Sequence, residues 1–236
     1  MTLRAVLFEF NGVIINDDMI RQQIIEQILI EENLRPQPGE FRKVCLGRSD
    51  RSCLTDLLNR RGRVVSESYL NQLLQRKAVA YQQQIEKQDV KFYCGLEDLL
   101  FQLQLRSLKS AIVTGANFSE VQLGLNRANN IAKYFPLVVA GDQVKTSKPE
   151  TDAYLLAVER LNELYPGFNL QISQCLAVES TLAGIQAAKK AGIKVVGVAN
   201  IYPFHMLQRQ ANWTVDYLCD LDMDRVQQVY TQKQTA

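Results

Sequence analysis

The sequence predicts an α/β fold: a parallel sheet with helices on both faces, interrupted after its first strand by an all-helical insert. Three observations carry this. From about residue 93 onward, short apolar runs alternate with amphipathic segments of helical period, as strand–helix–strand units do. One apolar run, LRAVLF, opens the chain. Between about 17 and 92 no strand candidate is convincing, and the spacing of apolar residues is helical.

Each element has a local reason. Leu3 to Phe8 is apolar throughout, as a strand buried on both faces should be. Residues 17–34 read as a helix with Ile20, Ile24, Ile25, Ile28 and Leu29 on one stripe. It is expected to end before Pro36, because proline cannot continue a helix. Segments around 50–61 and 66–86, rich in Gln, Leu and Arg, read as two further helices. Then follow a helix over 96–106, a strand over 109–114 (KSAIVT), a helix over 118–129, a strand over 137–140 (LVVA) and a helix over 150–164 behind Pro149. A strand over 175–178, a helix over 181–191, a strand over 194–199 (KVVGVA), a helix near 203–211, a strand near 214–218 and a tail helix from about 222 complete the pattern. The expected division is residues 1–15 with 93–236 as the α/β core and 16–92 as a helical cap, with linkers near 13–17 and 89–95.

Composition narrows the classes. With 236 residues, 47% hydrophobic and 22% charged, the chain is long enough to bury a sizeable core. Basic and acidic residues number 27 and 25, with no block of one sign, so charge gives no support to a nucleic-acid or membrane-surface role. No apolar run approaches the roughly 20 residues of a membrane span. The five cysteines, Cys45, Cys53, Cys94, Cys175 and Cys219, are scattered without a CxxC. Odd count and wide spacing predict reduced thiols in a cytoplasmic protein, and a strand so near Met1 leaves no room for a signal peptide. His205 is the only histidine, which argues against histidine-based acid–base chemistry or a multi-histidine metal site.

In an open α/β sheet, ligands bind at the carboxyl ends of the strands. Four strand ends here carry polar residues. The first offers Glu9, Asn11 and Gly12, and the second Thr114, Gly115, Ala116 and Asn117. Lys148 with Pro149 precedes the helix after the third strand, and the fourth strand ends at Glu179, Ser180 and Thr181. Acids, a hydroxyl with backbone amides and a lysine form a set that can cradle a phosphate and a divalent metal, since phosphate needs donors and Mg²⁺ needs hard oxygens.

These residues, in this order, resemble the haloacid dehalogenase-like (HAD) hydrolase superfamily. The branch is the one with a helical cap, which includes beta-phosphoglucomutase, phosphoglycolate phosphatase and CbbY-type sugar-phosphate phosphatases. The family's aspartate–x–aspartate–Gly is here Glu9-Phe10-Asn11-Gly12. Its strand ending in Ser/Thr is AIVT with Thr114, and its Lys-Pro pair falls at Lys148 and Pro149 within TSKPETDAY. Its acidic fourth motif becomes Val178-Glu179-Ser180 with Gly184 following, and the cap stretch CLGRSDRSCL supplies Gly47 and Arg48. The resemblance implies a Rossmann-like core with an inserted helical cap. It implies a catalytic set of Glu9, Asn11, Thr114 and Lys148, phosphate contacts from Gly12, Gly115, Ala116 and Arg48, and Mg²⁺ at Glu9 and Glu179.

The departures fall on one job. In the family the first aspartate is the nucleophile; Glu9 keeps the carboxylate but sets it one methylene further out. A displacement of about 1 Å can cost on the order of a hundredfold in rate. The second aspartate is the acid–base group, and Asn11 has no proton to give and recover; that help is typically worth about 10²–10⁴-fold. Val178 stands where the family has a second acid beside the metal, which weakens the implied Mg²⁺ site. The leading expectation is a degenerate, phosphatase-like protein that binds a small phosphorylated ligand or a protein partner. The alternative is a Mg²⁺-dependent hydrolase or phosphomutase that uses Glu9 as nucleophile.

Overall fold

The computed structural model describes residues 2–88 and 90–232. Strand β1 (Ala5–Phe8) is followed by four helices, α1 (Asp18–Glu31), α2 (Glu40–Val44), α3 (Asp50–Asn59) and α4 (Glu67–Lys87). The chain then runs through α5 (Leu96–Leu105), β2 (Lys109–Val113), α6 (Phe118–Leu125), α7 (Asn129–Ala132), β3 (Val138–Val139) and α8 (Asp152–Leu164). It ends with β4 (Cys175–Glu179), α9 (Leu182–Lys190), β5 (Lys194–Val198), α10 (Phe204–Leu207), β6 (Trp213–Val215) and α11 (Met223–Thr231). The six strands pair in parallel in the order β3-β2-β1-β4-β5-β6. Strand order reverses between β1 and β4, where sheets of this order open a ligand crevice at their carboxyl ends.

Strand parity assigns the two faces of the sheet. Ala5, Leu7, Ala111, Val113, Cys175 and Ala177 pack with Ala153, Ala157 and Leu161 of α8 and Ile185 and Ala188 of α9. Val6, Phe8, Ile112, Leu176 and Val178 face the other way, toward α5, α6 and α11. Burial on both sides explains why β1 reads as an unbroken apolar run. The two crossings between the sheet and the helical insert lie side by side: the Asn16 amide donates to the Lys91 carbonyl at 3.0 Å, and Tyr93 to Ile14 at 3.1 Å.

Several predicted bounds move for identifiable reasons. Helix α1 stops at Glu31, before Pro36, because Asn33 adopts φ +59° and the Leu34 amide returns to the Leu29 carbonyl at 2.8 Å, a left-handed helix end. The helix expected over 118–129 divides into α6 and α7, and the one near 203–211 shrinks to α10, where His205 lies exposed. Helix α2 was not anticipated.

The prediction of five reduced thiols is corrected. Cys45 and Cys53 form a disulfide, while Cys94, Cys175 and Cys219 are free. Gly47, at φ +73°, turns the chain between α2 and α3 and brings the two Cα atoms to 4.6 Å, which a count of spacings does not reveal. Reducing this short loop is expected to cost about 2–3 kcal/mol by loop-closure entropy. Urea midpoints with and without reductant measure it, and equal midpoints would mean packing alone holds the loop.

Candidate active site

Glu9 lies one residue beyond β1 and Glu179 ends β4. The strands are neighbours, with Phe8 opposite Val178 and the Glu9 amide donating to the Val178 carbonyl at 3.0 Å. Glu9 continues the parity of Ala5 and Leu7, and Glu179 that of Cys175 and Ala177, so both belong to the face covered by α8 and α9. Lys148, from the loop between β3 and α8, reaches between them. Its Nζ donates to Glu9 Oε2 at 2.7 Å, to Glu179 Oε1 at 2.6 Å and to the Val113 carbonyl at 2.9 Å. The Tyr154 hydroxyl donates to the same Glu179 oxygen at 2.6 Å, and the Phe10 amide donates to Glu9 Oε1 at 2.8 Å. The remaining Glu179 oxygen faces the Thr181 hydroxyl at 3.5 Å and is wedged against Gly184, where a Cβ would come within 2.0 Å of it. The Lys148–Pro149 peptide is cis.

None of these three charged side chains is more than 2% exposed. Burial pushes the Glu179 carboxyl up to about 7; Lys148 opposes this and Glu9 adds to it. Burial acts to discharge Lys148, yet the two carboxylates hold its pKa above the ordinary lysine value. Burial and Glu179 together raise the Tyr154 hydroxyl well above its usual range.

Asn11 makes its side-chain bonds outside this triad. Its Nδ2 donates to both oxygens of Asp17 at 3.0 and 2.8 Å, and Tyr81 of α4 donates to Asp17 Oδ2 at 2.7 Å. Asp17 holds the N-cap position of α1 but makes no side-chain cap bond, because its oxygens are taken. Thr114 Oγ1 accepts the Ala116 amide at 3.1 Å, an internal turn bond. Gly12, at φ +75°, gives its carbonyl to Asn200 Nδ2 at 2.9 Å. Arg48 is turned to its own helices: Nη1 donates to Asp56 Oδ2 at 2.6 Å and to the Val44 carbonyl at 3.1 Å. Its backbone presses on the core, since a Cβ at Gly115 would stand 2.6 Å from the Arg48 carbonyl oxygen.

A narrow gap lies over Glu9, walled by Asn11, Asp18, Arg21, Arg48, Gly115 and Thr181, but no part of it is wide enough to seat a water molecule. A wider cleft of about 480 Å³ runs along the outer seam, lined by Ser49, Asn71, Gln75, Asn117 and Lys145 and by none of the triad. The residues at strand ends therefore converge, but beneath a closed insert.

Sequence reading missed a second polar cluster beside the first. Lys77 of α4, with no exposed surface, donates to Asp50 Oδ2 at 2.8 Å and to the two oxygens of Glu120 at 2.7 and 2.6 Å. One signal was present: Lys77 lies on the buried stripe Leu70, Leu73, Lys77, Tyr81, Ile85, where a charge requires a buried partner.

The resemblance implies Mg²⁺, a hard cation that needs oxygens free to point at it. Three oxygens of Glu9 and Glu179 already accept hydrogen bonds, and the fourth is wedged against Gly184. Val178 offers no oxygen and is buried beside Phe8 on the opposite face of the sheet. Among the described residues, no group of three or more His, Cys, Asp or Glu is arranged to hold a metal. The donor set as arranged does not fit Mg²⁺.

Comparison with known proteins agrees with the fold. Residues 6–198 match the family model described as haloacid dehalogenase-like hydrolase. A phosphorylated carbohydrates phosphatase from Thermotoga maritima is 26% identical over 199 residues, covering 84% of this chain and 86% of its own length. The crystal structure of CbbY from Rhodobacter sphaeroides in complex with phosphate superposes with a TM-score of 0.79 at 18% identity, covering 93% of this chain and 96% of that one. The beta-phosphoglucomutase of Clostridium difficile gives 0.81 at 20% identity, covering 97% of both chains.

Proposed function

The chain belongs to the haloacid dehalogenase-like hydrolases, and we propose that within this family it is a phosphatase-like protein that binds a ligand without efficient turnover. The observation that carries this reading is the state of Glu9. A nucleophilic carboxylate needs a lone pair aimed at phosphorus. Each Glu9 oxygen already accepts one bond, from Lys148 or from the Phe10 amide, and the gap above the carboxylate is too narrow even for water, so the lone pairs that remain have no space for a phosphoryl group. Asn11, the neighbour from which a proton would have to come, is tied to Asp17 and has none to transfer. The ligand we assign is a small phosphorylated molecule, in keeping with the names of the relatives; a protein docking on the helical cap (residues 16–92, against a core of 1–15 and 93–236) is the other form of the same reading.

Ordinary enzymes turn over at about 1–10³ s⁻¹. With a generic phosphate ester and Mg²⁺, the purified protein is expected to fall at least about a thousandfold below the foot of that range, given the acid–base and positioning losses. Turnover at ordinary rates, abolished in Glu9→Ala, would overturn the proposal.

A second reading, a hydrolase or phosphomutase with Glu9 as nucleophile, has one observation in its favour. The Thr114–Ala116 turn and Lys148 lie on the same carboxyl edge of the sheet as Glu9, the layout that phosphoryl transfer needs. Formation of a beryllofluoride adduct on Glu9 would favour it.

A further inference from the structure

Six ionisable side chains meet where the helical insert rests on the core. Asp17 and Asp18 lie at the start of α1, Arg21 follows one turn later, Asp50 begins α3, Lys77 comes from α4 and Glu120 from α6 of the core. Asp17, Arg21, Asp50, Lys77 and Glu120 are each at most 3% exposed, and the Asp18 side chain is 17% exposed. The acids outnumber the bases by four to two, and the bases are unevenly shared. Lys77 bonds Asp50 and Glu120 closely, at 2.8 and 2.6 Å. Arg21 stays 3.8 Å from Asp18 and 3.9 Å from Asp50. Asp17 is satisfied by neutral donors, Asn11 and Tyr81. Asp18 Oδ2 and Arg21 Nε are buried without a partner. Fully ionised, the seam would bury two uncompensated negative charges, which a low-dielectric interior resists.

We infer that closing the insert over the core takes up protons, so that mild acid favours the closed form and a rise in pH through neutrality loosens it. The sign is opposite to that of a simple salt bridge. Lys77 favours the charged form of Glu120, but burial and the neighbouring Asp50 act against it. Burial first, and Asp50 after it, lift the Glu120 carboxyl from 4.5 to about 7 despite Lys77 and Arg21. Burial, Asp17 and Glu9 likewise lift Asp18 from 3.8 to about 7 against Arg21 and Arg42. An acid whose closed-state pKa is raised holds a proton that the opened, hydrated form releases. Between the two pKa values each unit rise in pH therefore favours opening about tenfold per linked proton, and above the higher value the dependence levels off. The device operates whether or not the site beneath it turns over a substrate.

Amide hydrogen exchange on the full chain tests this from pH 5 to 8.5, after correction for intrinsic exchange. The reporter is the Ser49 amide, which donates across the seam to Ser147 Oγ at 2.7 Å. A β1 amide reports global unfolding. Ser49 protection is expected to fall as the pH rises from 5 to 7, to level off above, and to stay below that of β1. Glu120→Gln removes one linked proton and is expected to flatten the slope by about tenfold per pH unit. A flat wild-type profile, protection that grows with pH, a Ser49 amide that exchanges only with β1, or an unchanged slope in Glu120→Gln would each overturn the inference. If Glu120→Gln does not fold, the wild-type profile decides by itself.

Discussion

Replacing Lys148 with methionine is expected to destabilise the protein by about 3–5 kcal/mol at pH 7.5, the range for removing one partner of a buried ion pair. Among the described residues Lys148 is the one cation that bonds both Glu9 and Glu179, and its three bonds reach both carboxylates and the Val113 carbonyl. Without it, two like charges would share a water-poor site, and one or both must take a proton. The deficit is therefore expected to shrink as the pH falls, because protonated carboxyls no longer repel. Whole-domain stabilities are only about 5–15 kcal/mol, so the variant will be marginal at neutral pH and firmer at pH 5. Urea unfolding at both values measures this. A loss below about 1 kcal/mol would mean that water already shields the two glutamates, contrary to their burial. Adding Glu179→Gln to Lys148→Met is expected to recover part of the loss.

The second large effect is the failure of an apparent repair. Asn11→Asp returns the carboxylate that acid–base catalysis needs, yet it is expected to destabilise the protein by about 2–4 kcal/mol, more than one hydrogen bond to a charged group contributes. Asn11 now donates to both oxygens of Asp17 at 2.8–3.0 Å. An aspartate there would set two carboxylates face to face, and the pair would hold a proton into the neutral range. Stability of the variant should accordingly fall as the pH rises through that shared titration. Asp17→Asn alone removes a charge that accepts from Asn11 and Tyr81 and also costs stability. The double variant places an amide beside a carboxylate again, with the roles exchanged. A double-mutant cycle is expected to give a favourable coupling above about 1 kcal/mol; additive losses would show that the two positions do not depend on each other. An attempt to raise phosphatase activity must therefore change Asp17 together with Asn11. Val178→Glu is a poor companion, since Val178 packs against Phe8 on the far side of β4.

Much of this was legible in the sequence because the signals are local. Burial on both faces makes β1 and most of β4 apolar runs, and that alone locates the strand ends where Glu9 and Glu179 sit. The Lys148-Pro149 pair marks the third member of the triad, and Gly184 the close packing against Glu179. The buried seam was not legible for a different reason. Lys77 meets Glu120, which is 43 residues away, and Asp50, 27 away, and nothing in a single sequence joins them. Its place on an apolar helix stripe says that a partner exists without saying which. The disulfide escaped for the same reason: the return of Cys53 to Cys45 depends on a turn at Gly47. Helix α2 has only five residues and follows the breaker-rich RPQPG, so it has too few turns to display a period.

The paired crossings between sheet and insert limit how the cleft can ever be reached. Two separate tethers would let the insert wander over a wide cone. Bonded as Asn16 to Lys91 and Tyr93 to Ile14, they form a strip that flexes across its thin direction and resists shear along its own plane. An opening that uncovers Glu9 is then expected to turn about this strip, with the Asn16 and Tyr93 bonds kept.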